Sequence, residues 1–318
     1  MENLDDKARK IQEIGNLLGW NSDLETLVQR VKSLDAGLVK EDEFVYLLNW
    51  SNKCSLIQKV DQSLITDEVK KQYTIPDLFV VFNKDGQEIP YFIEVKTSKD
   101  EKLSWTERYY QGLINYSKLT GHPVLIAWKW SSFDVWTLFE LKHFEKSVSN
   151  YKIGFEKAHQ ESLMSKLAGD YFIVPYENFA INFKLKKEKL ISKNGNEAEW
   201  EMQFESIYLT GEDGIETTDL DPGILSVLFS MSSEEKLTET DTHFIQSIYP
   251  HPNKSSFAQS IPIRLALAYE DGEVNWLEKI KSKKYPVQYD VLLRDLTSGI
   301  DKYIIRNILF FVPKSDSK

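Results

Sequence analysis

IPDLFVVFNKDGQEIPYFIEVKTSK, residues 75–99, holds two short apolar runs rich in β-branched and aromatic residues, Ile75 to Phe82 and Tyr91 to Lys96. Asn83, Lys84, Asp85 and Gly86 supply turn chemistry between them, so the stretch predicts two strands joined as a hairpin. Asp77 opens the first strand. Glu94 and Lys96 lie two apart on the second and therefore project from one face of the sheet. Folding the hairpin sets Asp77 beside Glu94, and two carboxylates held that close repel unless a cation lies between them. Oxygen donors without Cys or His point to Mg2+ or Mn2+, with the Val95 carbonyl as a further ligand and water and phosphate completing the shell. Lys96 would position or help deprotonate an attacking water and stabilise charge developing on phosphorus. Glu94 sits inside the apolar run YFIEV, where a carboxylate is seldom buried without a partner.

Outward from this stretch, Ile11, Ile14, Leu17 and Leu18 recur at helical spacing before Gly19, and residues 5 to about 34 predict two helices. Glu41 to Trp50 predicts a third helix, with Phe44, Leu47 and Leu48 on one face. After the hairpin, Trp105 to Leu119 has a helical pattern closed by Gly121 and Pro123. Val124 to Lys129 and Val135 to Leu141 predict two more strands. Helix, two strands, helix and two strands are most simply satisfied by an α/β layer with a helix on each face of the sheet.

Pro76-Asp77 followed by Glu94-Val95-Lys96 resembles the motif of the PD-(D/E)xK nuclease superfamily, which includes restriction endonucleases and Holliday-junction resolvases. The resemblance covers about residues 40–142 and implies a restriction-endonuclease-like mixed sheet flanked by helices. It also implies one more acidic residue on the preceding helix. Glu43 fits that place best, with Glu41 and Asp42 as competitors. Gln111 and Tyr116 look like the Gln and aromatic that members often carry on the next helix, and His122 to Ala127 resembles the closing strand. The implied catalytic set is Asp77, Glu94, Lys96, Glu43 and Gln111, and the implied metal set is Asp77, Glu94, Val95 and Glu43. Lys99, Lys102 and Arg108 are candidates for phosphate contacts, and Trp105 and Tyr109 for stacking on unpaired bases. The resemblance favours DNA over RNA and implies an endonuclease of prokaryotic defence or DNA processing. Surface ion pairing is the competing account of a lone ExK.

The second half reads differently. Residues 151–168 look like a helical connector and Tyr171 to Val174 a short strand. Ile181 to Ser192 and Glu197 to Tyr208 flank Asn194-Gly195, a hairpin signal, with lysines on one arm and glutamates on the other that suit cross-strand ion pairs. Residues 211–222 and 231–256 read as loops, Ser260 to Tyr269 as strand or helix, and Val287–Leu296 and Tyr303–Phe310 as two helices around Ser298-Gly299. The expected organisation is an N-terminal helical segment (1–40), a nuclease domain (41–148) and a second α+β domain (149–318), with a β-hairpin and C-terminal helices, that binds substrate or partner.

Composition narrows the class. The chain has 318 residues, 42% of them hydrophobic, enough for a substantial core. It shows no run near the roughly 18 apolar residues of a membrane helix, and MENLDDKARK is not a secretion signal. Cys54 is alone, which excludes a disulfide framework or a thiolate zinc cluster, and the five histidines are scattered. The expected setting is the cytoplasm. No phosphate loop of the Walker or dinucleotide type and no GxSxG elbow occurs. His251, between Pro250 and Pro252, reads as part of a rigid turn. A net charge of −10 excludes a nucleic-acid packaging protein but not an enzyme with one basic groove. It predicts weak unaided binding, so a partner protein, or a second copy in a homo-oligomer, is expected to help hold the substrate.

Overall fold

The computed structural model describes residues 40–61, 66–195, 197–231, 233–250, 255–268 and 274–313. The two helices expected over residues 5–34 and the turn at His251 lie outside the described residues. A first helix, α1 (residues 40–51), leads into β1 (Cys54–Lys59), and a short helix α2 (Asp67–Gln72) precedes β2 (Leu78–Lys84). The hairpin from β2 to β3 (Gln87–Ser98) closes on Asp85 and Gly86, both at positive φ, with Lys84 opposite Gln87. Two residues at positive φ make the tight turn whose twist matches the paired strands.

β4 (Lys102–Thr106) runs straight into α3 (Glu107–Thr120), whose first turn is capped by the Thr106 hydroxyl and whose end is Gly121 in the left-handed region. The helix expected from Trp105 therefore begins two residues later, because Trp105 is paired in β4 with Tyr151. After α3, β5 (Val124–Trp130) returns parallel to β3, and β6 (Val135–Glu140) pairs antiparallel with β5. The order β1-β2-β3-β5-β6 is a mixed five-stranded sheet, parallel only where α3 makes the crossover. One sheet face carries Leu78, Val80, Ile93, Val95 and Ala127 against Phe44 and Leu48 of α1; the other carries Phe92, Ile126 and Trp128 against Leu113 of α3. The α/β reading of this half is what the structure contains, joined to further β-rich and helical regions.

Residues 151–168 are not one helical connector. β8 (Asn150–Gly154) pairs with both β4 and β7 (Glu145–Ser147), and two short helices, α4 (Phe155–Gln160) and α5 (Met164–Ala168), follow. β9 (Phe172–Pro175) and the long hairpin β10 (Ala180–Asn194) and β11 (Glu197–Thr210) come next. β12 (Glu216–Thr217) leads to α6 (Pro222–Ser230), and β13 (Ser233–Glu239) and β14 (His243–Pro250) follow; these three strands occupy segments expected to be loops. β13 (SEEKLTE) has little apolar content and is recruited by its neighbour β14, which itself pairs with β10. Backbone pairing, not side-chain pattern, makes β13 a strand.

β15 (Ser256–Phe257) and β16 (Ile305–Leu309) flank β9, and the helices α7 (Ser260–Ala268), α8 (Trp276–Ser282) and α9 (Tyr289–Asp301) complete the described chain. Tyr303–Phe310 is thus not a helix. Ile304 and Ile305 are buried in the core that also holds α6 and α9, and residues 305–309 pair with β9, so the second of the two expected helices is a strand. The cores cross residue 148. Ile263 and Trp276 join the core beneath α1, and Trp50 Nε1 donates to the Val287 carbonyl at 2.8 Å. No helix among the described residues is long and apolar enough to cross a membrane.

Candidate active site

Leu78 lies opposite Ile93, so the residue before β2, Asp77, comes level with Glu94 across the hairpin. Asp77 Oδ2 accepts a hydrogen bond from the Val95 amide at 2.7 Å, which ties the approach to β2 to the ExK strand. Glu94 is only 2% exposed. Its Oε1 accepts from Lys96 Nζ and from the Tyr109 hydroxyl, while Oε2 is buried without a hydrogen-bond partner. Lys96 Nζ also donates to the Val95 carbonyl at 3.1 Å. Asp77, Glu94, Lys96 and Tyr109 line an open cleft of roughly 410 Å³ whose other wall is Lys70, Tyr73, Thr74 and Ile75.

The charges here are strongly coupled. Burial pushes the Glu94 carboxyl up to about 7, with Lys96 pulling it down and Asp77 pushing it further up. Burial works against the charge on Lys96, but Glu94, Tyr109 and Asp77 outweigh it, so its ammonium is held above the usual range. Lys96 is therefore a stable cation here, suited to donating hydrogen bonds to developing negative charge rather than to taking a proton.

The residues fit a divalent ion. An orphaned carboxylate oxygen, a second carboxylate and a strand carbonyl converge, and Mg2+ is commonly held by one or two carboxylates with water and substrate phosphate completing the shell. Among the described residues no group of three or more Asp, Glu, His or Cys converges as a complete metal cage. Cation binding must deprotonate Glu94, whose folded pKa lies above its usual value. In the cation-free protein the stability from the protonated form is present below about pH 4.5 and is lost as pH rises toward 7. Mn2+ or Ca2+ affinity is accordingly expected to weaken by up to about tenfold per pH unit below 7. Titration at pH 6 and pH 8 checks this, and equal affinity at both would remove Glu94 from the ligand set.

The structure does not bring Glu43 to this cleft. Glu43 bonds Lys129, whose strand neighbours on the same face are Val95 and Ala127, whereas Glu94 and Lys96 share the opposite face with Ile126 and Trp128. Its carboxylate is taken up by Lys129, by Trp136 Nε1 at 2.9 Å and by Lys40 at 2.8 Å. Glu41 is the acidic residue of α1 that senses Asp77: burial and the Asp77 charge raise its carboxyl, with Lys59 opposing. Gln111 is exposed and bonds Asn115 at 3.0 Å rather than lining the cleft. Trp105 is buried and stacks on Phe144 at 4.5 Å, so its ring is not free for a base. Lys99, Lys102 and Arg108 are exposed outside the cleft lining, and Arg108 donates to the Lys70 carbonyl at 3.2 Å.

Tyr109, foreseen only as a stacking ring, has its hydroxyl in the acidic centre. The wall carrying Lys70 and Tyr73 was missed, since residues 66–76 are polar and show no periodicity until they dock on α3. That docking is close. Gly112 lies under Thr74, where an added Cβ would stand 2.3 Å from Thr74 Oγ1 and 2.8 Å from its amide. Gly112→Ala is expected to destabilise the fold by about 1–3 kcal/mol, less what alanine gains for the helix. It should also weaken cation binding by displacing the chain that leads into Asp77. Denaturant melts and a Mn2+ titration read both effects.

Residues 66–168 match the family model of archaeal Holliday junction resolvase (Hjc). This segment is Hjc-like. The match lies within the PD-(D/E)xK superfamily that the motif resembled, and it extends through β8, α4 and α5. A comparison with curated proteins gives no match. Among solved structures, Archaeoglobus fulgidus Hjc, a Holliday junction resolvase from an archaeal hyperthermophile, is 20% identical. The similarity covers 42% of this chain and 96% of that one, with a TM-score of 0.33. The Hjc-like segment contains Asp77, Glu94, Lys96 and Tyr109, while α1, with Glu41 and Glu43, precedes it.

Proposed function

We propose that the chain is a metal-dependent DNA endonuclease whose centre is Asp77, Glu94 and Lys96. The observation that carries the reading is the orphaned Glu94 Oε2, buried beside a second carboxylate and a lysine that is held cationic. Buried polar atoms are as a rule hydrogen-bonded, so an unbonded carboxylate oxygen on a residue that lines a cleft with Asp77 and Lys96 supports a cation there. When bound, Mg2+ or Mn2+ would neutralise charge on the scissile phosphate and acidify an attacking water. Asp77 and Glu94 hold the cation, and the Val95 carbonyl is the third donor. Lys96 Nζ donates to the phosphoryl oxygen that gains negative charge. Lys70 and Tyr73, on the opposite wall, contact the backbone that flanks the reacting phosphate.

DNA is the favoured substrate because the Hjc-like segment contains the whole centre. The charge of −10 predicts weak unaided binding and favours a second copy of the chain, or a partner protein, that helps hold the substrate. The test is cleavage of linear duplex, single-stranded and four-way-junction DNA with Mg2+, Mn2+ or EDTA. Metal-dependent product on at least one DNA, absent with EDTA, is expected. No product from any DNA, alone or with added partner, would sink the reading.

A further inference from the structure

The two oxygens of Glu94 are unequal: Oε1 receives both Lys96 Nζ and the Tyr109 hydroxyl, and buried Oε2 receives nothing. Lys96 Nζ also lies 5.6 Å from the centroid of the Tyr109 ring, within reach of the attraction between a cation and an aromatic face. Tyr109 itself is fixed at its backbone. Its amide donates to the Thr106 hydroxyl at 3.3 Å, and its carbonyl accepts from Thr74 Oγ1 at 3.3 Å. A single side chain thus restrains the carboxylate through its hydroxyl and the ammonium through its ring.

We propose that Tyr109 is a positioning residue of the divalent-cation site, holding Oε1 of Glu94 and seating Lys96 so that Oε2 is the oxygen offered to the cation. The proposal rests on the reading of Asp77 and Glu94 as cation ligands. It separates two duties that one carboxylate would otherwise mix. With Oε1 engaged, Glu94 binds through one oxygen, and Lys96 stays beside the site without occupying Oε2. Partners that orient a metal ligand through a hydrogen bond contribute strongly to affinity, and removing one weakens binding roughly 10–100-fold.

The experiment measures Mn2+ binding to the full chain by electron paramagnetic resonance, for the wild type, Tyr109→Phe and Asp77→Asn. Tyr109→Phe keeps the ring that contacts Trp105 and loses only the hydroxyl. It is expected to raise the Mn2+ Kd about 10–100-fold, and the Mn2+ concentration for half-maximal cleavage by the same factor, with little change in thermal midpoint. A purely structural tyrosine would lower the midpoint and leave Kd alone. Wild-type Kd in Tyr109→Phe, with binding lost in Asp77→Asn, overturns the role of Tyr109 only. Wild type and Asp77→Asn binding Mn2+ equally, or neither binding it, overturns the cation site and this proposal together. Binding without cleavage of any DNA would remove the nuclease reading, while the Tyr109 comparison would still be decided by Kd.

Discussion

Asp77→Asn and Lys96→Ala are each expected to lower metal-dependent DNA cleavage by at least about 10²–10³-fold, with the chain still folded. Asp77→Asn keeps an acceptor for the Val95 amide, now bonded at 2.7 Å, and so preserves the tie between the approach to β2 and the ExK strand. What it removes is negative charge, and with it the second anionic donor to the cation. Lys96→Ala removes a cation held charged by Glu94, Tyr109 and Asp77, the one positively charged donor among these groups and so the one that can offer an anionic phosphoryl oxygen a charge-assisted hydrogen bond. In that variant Glu94 loses the neighbour that most lowers its pKa, and it should accept a proton rather than unfold the protein. Single-turnover cleavage at saturating Mg2+, with circular dichroism on the same samples, reads both parts. Either variant cutting at the wild-type rate would exclude the assigned centre.

The second large effect lies on the other sheet face. Glu43→Ala is expected to cost about 3–5 kcal/mol of stability. Glu43 and Lys129 are both nearly inaccessible and bonded to each other, and Glu43 Oε1 also accepts from Trp136 Nε1 at 2.9 Å. Alanine would strand the Lys129 ammonium and the indole N–H inside the core beneath α1. Lys129 would keep Asp134, at 2.5 Å but partly solvated, which sets the loss toward the lower end of that range. Glu43→Gln retains an acceptor for the indole and should cost less. Its cleavage should stay within a few-fold of wild type, because Glu43 and Glu94 are on opposite faces. Urea unfolding gives the stability. A Glu43→Gln protein that is stable but inactive would return Glu43 to the catalytic set.

These two outcomes separate what could be read along the chain from what could not. The alternation that sends Glu94 and Lys96 to one face, and the Asp85-Gly86 turn that brings Asp77 level with them, are local properties. The choice among Glu41, Asp42 and Glu43 was not readable. Adjacent helix residues differ by about 100° around the axis, so the identity of the one near Asp77 depends on how α1 rolls against the sheet. Trp105 carries no sequence mark distinguishing a buried ring from a base-stacking one; pairing of β4 with β8 and stacking on Phe144 bury it. The strands at Ser233–Glu239 and Ile305–Leu309 likewise exist because β14 and β9 present open backbone to them.

For the proposed centre, the sequence determined the order Asp77, Glu94, Lys96 and their shared sheet face, because a two-residue turn and a period of two leave a hairpin little other choice. Tertiary structure alone decided that Tyr109 reaches Glu94 Oε1, that Lys70 and Tyr73 form the opposite wall, and that Glu43 pairs with Lys129. Each of those contacts joins elements packed from different parts of the chain. Such contacts are set by how helices dock on the finished sheet, and no local spacing encodes that.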